Sequence, residues 1–306
     1  MHIFKLVGFF FLITSSYAQI PKSAFGSIQF FEKIPGASVE TAIAVWLPPG
    51  YTSAKKYPVF YMHDGQMLFD ATITWNAQEW KVDETIANLI EEDSLNAMLV
   101  VGIYNRGEKR FSDYFPQKPY ETLSTEEQQN ITLSLNEAGR INGPFRVASD
   151  AYLSFIVDEL KPFVDAHFAT RSDRNSTFLA GSSMGGLISL YALCRFPEVF
   201  GGIACFSTHW TGIHRNSNNP FPASMLEYVN KHLVIGEKSR RIYLDTGTET
   251  LDSLYLNHHR EATELIKAKG YTASNFNSNI SIGADHSEKA WSKRFPEAVR
   301  FLMHSE

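Results

Sequence analysis

Apolar residues along this chain fall into two alternating patterns. Continuous or near-continuous apolar runs lie at residues 57–62, 97–103, 175–180, 201–206, 241–244 and 278–282. Runs of this kind are typical of strands that are buried on both faces of a sheet. Between them, apolar residues recur every three or four positions, which predicts helices. These helices are expected at residues 82–92, 152–168, 185–195, 224–232, 253–269 and in a last segment that ends near residue 303.

The order of these elements predicts the fold class. Residues 29–47 alternate loosely between apolar and polar, as expected of antiparallel strands at a sheet edge. From residue 57 onward strands alternate with helices, which favours an α/β fold with a mostly parallel central sheet and helices on both faces. The chain shows no internal repeat, so we expect residues 19–306 to form a single domain.

One long segment breaks the alternation. Residues 105–147 lack apolar periodicity and are rich in Arg, Asp, Tyr, Pro, Asn and Gly. The segment leaves the end of a central strand and carries aromatic residues. These features favour a lid or substrate-binding loop over a disordered insertion.

The N-terminal residues have the composition of a signal peptide. A short basic start with Lys5 precedes an apolar run at residues 6–14 and a small-residue end at Ala18. This pattern predicts cleavage after Ala18 and a secreted or periplasmic protein. No cysteine stands at the cleavage point for a lipid anchor, and no later stretch is long and apolar enough to span a bilayer. We therefore expect no stable membrane anchor.

Composition narrows the choice of partners. The 306 residues include 28 Lys and Arg against 33 Asp and Glu, a net charge of −5, which argues against nucleic acid or an anionic membrane. Two cysteines do not make a disulfide scaffold in a chain of this size. Cys194 and Cys205 both lie in apolar runs, so we predict two buried thiols.

One motif joins a predicted strand to a predicted helix. Residues 181–185 read Gly-Ser-Ser-Met-Gly and fit the pattern Gly-x-Ser-x-Gly, in which a serine occupies a sharp strand-to-helix turn. The flanking chain passes close to this turn, so the positions two residues either side of the serine must lack side chains. Only Ser183 meets this demand, because Ala180 and Met184 flank Ser182 at the same offsets. The motif predicts Ser183 as a nucleophile.

A serine nucleophile needs a histidine base that is itself oriented by an acid. Where such an elbow is used, the acid and then the histidine follow it along the chain. The base should lie just past the last strand, and His286 does. The acid should follow the preceding strand. Asp245 touches that strand's end and is suited to bracing the turn; of the two loop residues we favour Asp252, with Glu249 as the alternative.

Two backbone N–H groups are also needed to stabilise the oxyanion of the tetrahedral intermediate. One is expected at Met184, directly after the nucleophile. The other is expected in the loop after the first buried strand, where Gly65 lets the backbone approach the substrate closely and Gly65 or Gln66 supplies the donor. His63 and Asp64 in this loop have no second histidine or carboxylate at a metal-site spacing, so no metal site is predicted.

These segments resemble a known family. The residues that carry the resemblance are His63-Asp64-Gly65-Gln66-x-Leu68-Phe69-Asp70, Gly181-x-Ser183-Met184-Gly185-Gly186, Phe196-Pro197-x-Val199-Phe200-Gly201 and His286-Ser-Glu288-x-x-Trp291. They look like the esterase D / feruloyl esterase group of α/β-hydrolases, to which carbohydrate esterase family one and enterobactin esterases belong. The resemblance covers nearly all of residues 19–306. It implies an α/β-hydrolase fold and acyl hydrolysis without a cofactor.

The acid loop departs from this family. Residues 248–252 resemble the family's acid loop, and Asp252 is the better match within it. Members more often carry an acidic residue three positions after a loop glycine, and Thr250 stands at that position here. The departure keeps Glu249 open as the alternative acid.

Residues and resemblance together predict an exported serine ester hydrolase that acts on acetyl or feruloyl esters of carbohydrates. The alternatives are a siderophore esterase of the enterobactin type, an acyltransferase on the same triad, and a non-catalytic carbohydrate-binding protein on a hydrolase scaffold. Aromatic residues in the loops suit stacking on a sugar or an aromatic acyl group. The residues expected to contact the substrate are Trp75, Trp80, Arg110, Tyr114, His209 and Trp210, of which Trp80 and Trp210 suit the core equally well.

Overall fold

The computed structural model describes residues 19–92, 95–213, 218–235 and 240–303. The predicted signal peptide at residues 1–18 lies outside the described residues. Within them, eight strands form one sheet with the order β1-β2-β4-β3-β5-β6-β7-β8. These strands are β1 (Ser27–Phe31), β2 (Ile43–Leu47), β3 (Val59–His63), β4 (Leu99–Ile103), β5 (Thr177–Ser182), β6 (Gly202–Phe206), β7 (Arg241–Gly247) and β8 (Phe276–Ser281).

The sheet is parallel except at one edge. β3, β4, β5, β6, β7 and β8 pair in parallel, whereas β1 pairs with β2, and β2 with β4, in antiparallel register. This confirms the predicted α/β architecture with antiparallel strands at an edge. Because parallel strands end at the same edge of a sheet, the loops after β3, β5, β6, β7 and β8 meet there.

Helices cover both faces of the sheet. Neighbouring residues of β3 point into different apolar clusters, Tyr61 into one and Phe60 into the other. This two-sided burial explains the continuous apolar runs of the central strands. The helices are α1 (Val82–Glu91), α2 (Arg110–Tyr114), α3 (Gln117–Glu121), α4 (Thr125–Glu137), α5 (Ser149–Ser154), α6 (Lys161–His167), α7 (Met184–Arg195), α8 (Phe221–His232), α9 (Leu256–Ala268) and α10 (Glu288–Met303).

The segment 105–147 differs from the expected aperiodic loop, because it contains α2, α3 and α4. Its longest helix, α4, is closed at its start by a capping box between Ser124 and Glu127. Only Ile131 and Leu135, four residues apart, are buried on that helix. A stripe this narrow gives almost no periodic signal, which is why the helix escaped the apolar pattern.

Two other elements deviate from their predicted bounds. The helix predicted at 152–168 runs through α5 and α6 with a π-helical segment, Phe155–Leu160, between them. The helix predicted at 253–269 begins only at Leu256, because a 3-10 turn at Thr250–Leu254 precedes it. Cys194 and Cys205 are buried free thiols, as predicted. Among the described residues, no helix combines the length and the apolar character needed to cross a bilayer.

Candidate active site

Ser183 lies between β5 and α7 in a strained turn. Its φ of 56° and ψ of −120° fall in a region that non-glycine residues rarely adopt. A Cβ added to Gly181 would lie 2.8 Å from the carbonyl carbon of Gly185, so the motif's first glycine is required by the close passage of the chain. Ser183 N donates to Phe206 O at 2.8 Å, and His209 N donates to Ser183 O at 3.1 Å. The end of β6 and the loop after it therefore bind both the backbone N–H and the carbonyl of Ser183.

Asp252 and His286 are in direct contact. The Nδ1 of His286 lies 2.5 Å from Oδ1 of Asp252, whose side chain is fully buried in the turn between β7 and α9. A carboxylate only accepts hydrogen bonds, so Nδ1 is the donor and Nε2 is left as the basic nitrogen. Burial alone would raise the pKa of Asp252, but the bonds from His286, Ser207 and Gly247 hold it below its ordinary value.

The other two candidate acids lie elsewhere. Glu249 is exposed, and its carboxylate accepts from the hydroxyl of Thr248 at 3.3 Å. Asp245 is fully buried and accepts from the backbone N–H of Ser207 at 3.2 Å. Thr250, at the position where the family more often has an acid, accepts from the backbone N–H of His286 at 3.0 Å. The turn thus anchors the histidine backbone through Thr250 and its ring through Asp252.

The loop after β3 lies against the first turn of α7. A Cβ added to Gly185 would be 3.3 Å from Cβ of His63 and 3.5 Å from Oδ2 of Asp64. Gly65 and Gln66 follow in a 3-10 turn, and Met184 is the first residue of α7. A Cβ on Gly65 would lie 2.5 Å from the carbonyl carbon of Gly102, so this glycine makes room for strand β4. That packing, and not only an approach to substrate, accounts for a glycine here.

Arg110 from the insertion holds this loop. Its Nε and Nη2 donate to the two carboxylate oxygens of Asp64, each at 2.7 Å, and Asn105 Nδ2 donates to Oδ1 at 2.7 Å. Asp64 N donates to the hydroxyl of Tyr114 at 3.3 Å. Burial would raise the pKa of Asp64, but the Arg110 guanidinium holds it below its ordinary value. Arg110, which was predicted to contact the substrate, therefore supports the loop that is expected to carry an oxyanion donor.

The remaining predicted contact residues fall into two groups. Trp75 is 83% exposed, whereas Tyr114, Trp80, His209 and Trp210 are buried. The rings of Tyr114 and Trp210 offer no exposed face for stacking. Trp80 packs against Trp291 and Phe206, which agrees with the alternative that it is a core residue. His209 contacts the hydroxyl of Tyr255 through Nδ1, and the Tyr255 ring lies 5.8 Å from that of His286.

Three residues of this site were not singled out as site residues from the sequence. Ser207 contacts Asp252, and Arg294 and Trp291 contact Ser207. Ser207 follows strand β6, and that position at the carboxyl end of a parallel strand was the signal that could have marked it. Trp291 belongs to the His286 motif that carries the family resemblance, and that motif was the signal for it. Arg294 lies on α10, where nothing in the local pattern distinguishes it from other helix residues.

Comparison with known proteins assigns the family. The family model described as "Putative esterase" matches residues 37–302. The chain belongs to this esterase family, and the protein is a carboxylic ester hydrolase with the α/β-hydrolase fold. This family assignment favours an enzyme over the non-catalytic carbohydrate-binding alternative.

Relatives and solved structures are similar to this chain over most of its length. The uncharacterized protein YbbA of Bacillus subtilis is 24% identical over 266 residues, which are 84% of this chain and 90% of YbbA. A CE1 ferulic acid esterase of Anaeromyces mucronatus, solved with ferulic acid, has a TM-score of 0.60 at 18% identity and covers 94% of each chain. The enterobactin esterase of Shigella flexneri has a TM-score of 0.61 at 17% identity, covering 93% of this chain and 60% of its own. At these identities the structural likeness shows the fold.

Proposed function

We propose that this ester hydrolase is an exported serine esterase in which Ser183 is the nucleophile, His286 the general base and Asp252 the orienting acid. The observation that carries the proposal is the 2.5 Å contact between Asp252 and His286. It lies at the same sheet edge as the strained turn of Ser183. Glu249 makes the weaker candidate, because its carboxylate is on the exposed side of the turn.

The proposed reaction has two halves. The hydroxyl oxygen of Ser183 attacks the ester carbonyl carbon while Nε2 of His286 takes the hydroxyl proton. The bond from carbon to the alcohol oxygen then breaks, and His286 returns the proton to the leaving alcohol. In the second half water attacks the acyl-enzyme, His286 takes its proton, and the acid is released with Ser183 restored. Asp252 stays ionised and stabilises the imidazolium that forms in each half.

The oxyanion is proposed to bind between α7 and the loop after β3. Met184 N–H stands at the N-terminus of α7, where the helix dipole favours negative charge. The second donor is Gly65 or Gln66 N–H. Their turn lies beside Gly185, as the short distances from that residue to His63 and Asp64 indicate. Such preorganised donors are the largest single contribution to many acyl-transfer reactions.

For the substrate we propose acetyl or feruloyl esters of carbohydrates. The likeness to ferulic acid esterases supports an aromatic acyl group. The exposed indole of Trp75 supports it further, because Asn76 beside it donates to Glu288, two residues after His286, at 2.8 Å. This contact brings an aromatic surface to the edge of the site, where it is suited to stack on a ring.

The test compares hydrolysis by wild type, Ser183→Ala and Ser182→Ala. We expect Ser183→Ala to lose at least about 10⁴-fold in kcat on p-nitrophenyl acetate and methyl ferulate. Ser182→Ala removes the neighbouring hydroxyl and should keep most of the activity. Equal rates for wild type and Ser183→Ala would refute the nucleophile. Acetylated and feruloylated xylan fragments, a catechol trilactone and an added acceptor alcohol then separate carbohydrate esterase, siderophore esterase and acyltransferase activities.

Export is proposed from residues 1–18 and from how the following residues bind the fold. Backbone N–H groups of Lys22 and Ala24 donate to the carboxylates of Asp70 and Asp83, at 3.0 and 2.6 Å. The residues that follow the expected cleavage point at Ala18 are therefore bound to the fold. N-terminal sequencing of the protein recovered outside the cytoplasm should begin at Gln19. A protein that stays in the cytoplasm with Met1 intact would refute export.

A further inference from the structure

A buried hydroxyl outside the proposed triad lies against its acid. Ser207 follows β6, has a φ of 45° and is fully buried. Its Oγ lies 2.5 Å from Oδ2 of Asp252, 2.9 Å from Nε1 of Trp291 and 3.0 Å from Nη2 of Arg294. Three polar groups from two elements, the acid turn and α10, therefore converge on one serine oxygen.

The direction of these bonds is determined by their chemistry. A serine hydroxyl has one hydrogen to donate and two lone pairs to accept with. The indole and guanidinium groups can only donate, so Trp291 and Arg294 occupy both lone pairs. The hydroxyl hydrogen must point at Asp252. Ser207 is thus a fixed donor to the carboxylate oxygen that faces away from the His286 contact.

Arg294 connects two carboxylates through this hydroxyl. Its Nε donates to Oδ2 of Asp245 at 2.8 Å and its Nη2 to Oδ1 at 3.1 Å. The same Nη2 donates to Ser207. On the other side, Gly247 N–H donates to Oδ2 of Asp252 at 2.5 Å, so this oxygen receives two hydrogen bonds. The Arg294 guanidinium is therefore linked to the Asp252 carboxylate through the hydroxyl of Ser207.

We propose that Ser207 and Arg294 are positioning residues of the esterase, which orient Asp252, keep it ionised and limit how tightly it holds the proton on His286. The inference rests on the proposed triad. Donors on Oδ2 withdraw charge from the carboxylate, and the Arg294 cation opposes a second positive charge on the imidazole. Without the hydroxyl, the carboxylate becomes more basic and His286 stays protonated, and so inactive as a base, up to a higher pH.

Several ionisable groups lie on the elements that surround His286 and Asp252, so the variants must leave them in place. Substituting Ser207 removes none of them. The groups are Asp252 in the acid turn, Tyr255 beside α9, His209 after β6, Asp245 on β7, Glu288 and Arg294 on α10, and Asp285 in the loop of His286.

The experiment measures kcat/KM against pH for wild type, Ser207→Ala and Ser207→Gly, with p-nitrophenyl acetate. Both variants should lose about ten- to one-hundredfold in kcat/KM. The acid limb of the profile should move to higher pH by about one pH unit. Ser149→Ala is the matched control, because it removes a buried serine hydroxyl that accepts from Gln117 N at 3.0 Å, away from Asp252. It should change neither value.

The Ser207→Gly variant distinguishes the loss of the hydroxyl from a distortion of the turn. A φ of 45° suits glycine, so Ser207→Gly keeps the backbone and remains testable where Ser207→Ala folds poorly. Wild-type activity in Ser207→Gly, or a lower rate with an unmoved acid limb, would overturn the proposal. Ser183→Ala in the same assay separates the two ideas. If it stays active, the triad itself fails; if it is inactive while the Ser207 variants behave as wild type, only the positioning role fails.

Discussion

Two buried aspartate–arginine pairs lie on opposite sides of Ser183, and their surroundings differ. On the β3 side, Arg110 donates to both oxygens of Asp64 at 2.7 Å. On the β7 side, Arg294 donates to both oxygens of Asp245 at 2.8 and 3.1 Å. Both pairs have the same bidentate geometry, so this geometry does not explain how the roles of the two pairs differ.

The protonation of the two aspartates differs because of their neighbours. Burial would raise the pKa of Asp64, but Arg110 and Asn105 hold it below its ordinary value. Burial, with a smaller effect from the nearby charge of Asp252, raises the pKa of Asp245 to about 6 although Arg294 opposes the rise. Arg110 binds the carboxylate of Asp64. Arg294 binds the carboxylate of Asp245 directly and is linked to that of Asp252 through the hydroxyl of Ser207. At Asp245 burial outweighs the attraction of Arg294, whereas at Asp64 the bonds from Arg110 and Asn105 outweigh burial.

This difference suggests that the two pairs have different roles around Ser183, the proposed nucleophile. The Asp64–Arg110 pair holds the loop proposed to carry an oxyanion donor. The Asp245–Arg294 pair is linked to the proposed acid. Variants that remove one charge at a time should therefore act on different quantities: catalysis through the acid, stability and loop geometry through Arg110, and the pH dependence of folding through Asp245.

The largest effect is expected for Asp252→Asn. The amide cannot accept from Nδ1 as a carboxylate does and cannot stabilise the imidazolium, so kcat should fall by about 10⁴-fold. Glu249→Gln is the matched control and should keep most of the activity, because Glu249 is exposed. A larger loss in Glu249→Gln than in Asp252→Asn, measured as kcat on p-nitrophenyl acetate, would reverse the choice of acid.

A smaller effect is expected for Arg110→Met, which leaves Asp64 without its cation. The free energy of unfolding should fall by about 3 kcal/mol. Loosening of the oxyanion loop should lower kcat by about tenfold with KM nearly unchanged. Arg106→Met is the control, since Arg106 forms an equally close pair with buried Asp113 in the same insertion. It should cost stability but not kcat; an equal loss of kcat in both variants would contradict the specific role of Arg110.

The smallest effect concerns the pH dependence of the free energy of unfolding. It has opposite signs for His63, on the β3 side of Ser183, and Asp245, on the β7 side. Burial lowers the pKa of His63 to about 3, so its neutral form stabilises the fold above about pH 6.5 and this contribution is lost as the pH falls toward 4. Asp245 has a raised pKa, so the folded state gains a proton, and stability, as the pH falls through 6. His63→Asn should flatten the loss of unfolding free energy between about pH 6.5 and 4, and Asp245→Asn should steepen it. Denaturant titrations at several pH values measure both slopes. Parallel changes in the two variants would show that these groups do not set the dependence.

A feature of the site could be predicted from the sequence where residues close along the chain form it. The elbow around Ser183 is a five-residue motif between a strand and a helix, and His286 follows the last strand. Parallel strands end at one edge, so strand order alone predicts that these two residues lie at the same edge of the sheet. The choice between Glu249 and Asp252 depended on which side of a 3-10 turn faces inward, and side-chain direction in such a turn leaves no periodic signal.

The sequence by itself therefore determined the strand and helix alternation, the turn of Ser183 and the position of His286 after the last strand, because these depend on residues close along the chain. Only the tertiary structure decided the ion pairs and the support of the acid. Arg110 and Asp64 are separated by 46 positions, and Arg294 and Ser207 by 87. Such pairs form because the sheet brings distant strand ends and covering helices to one place, and burial then makes each unpaired charge or hydroxyl costly. That cost is a property of the assembled site and not of any single segment.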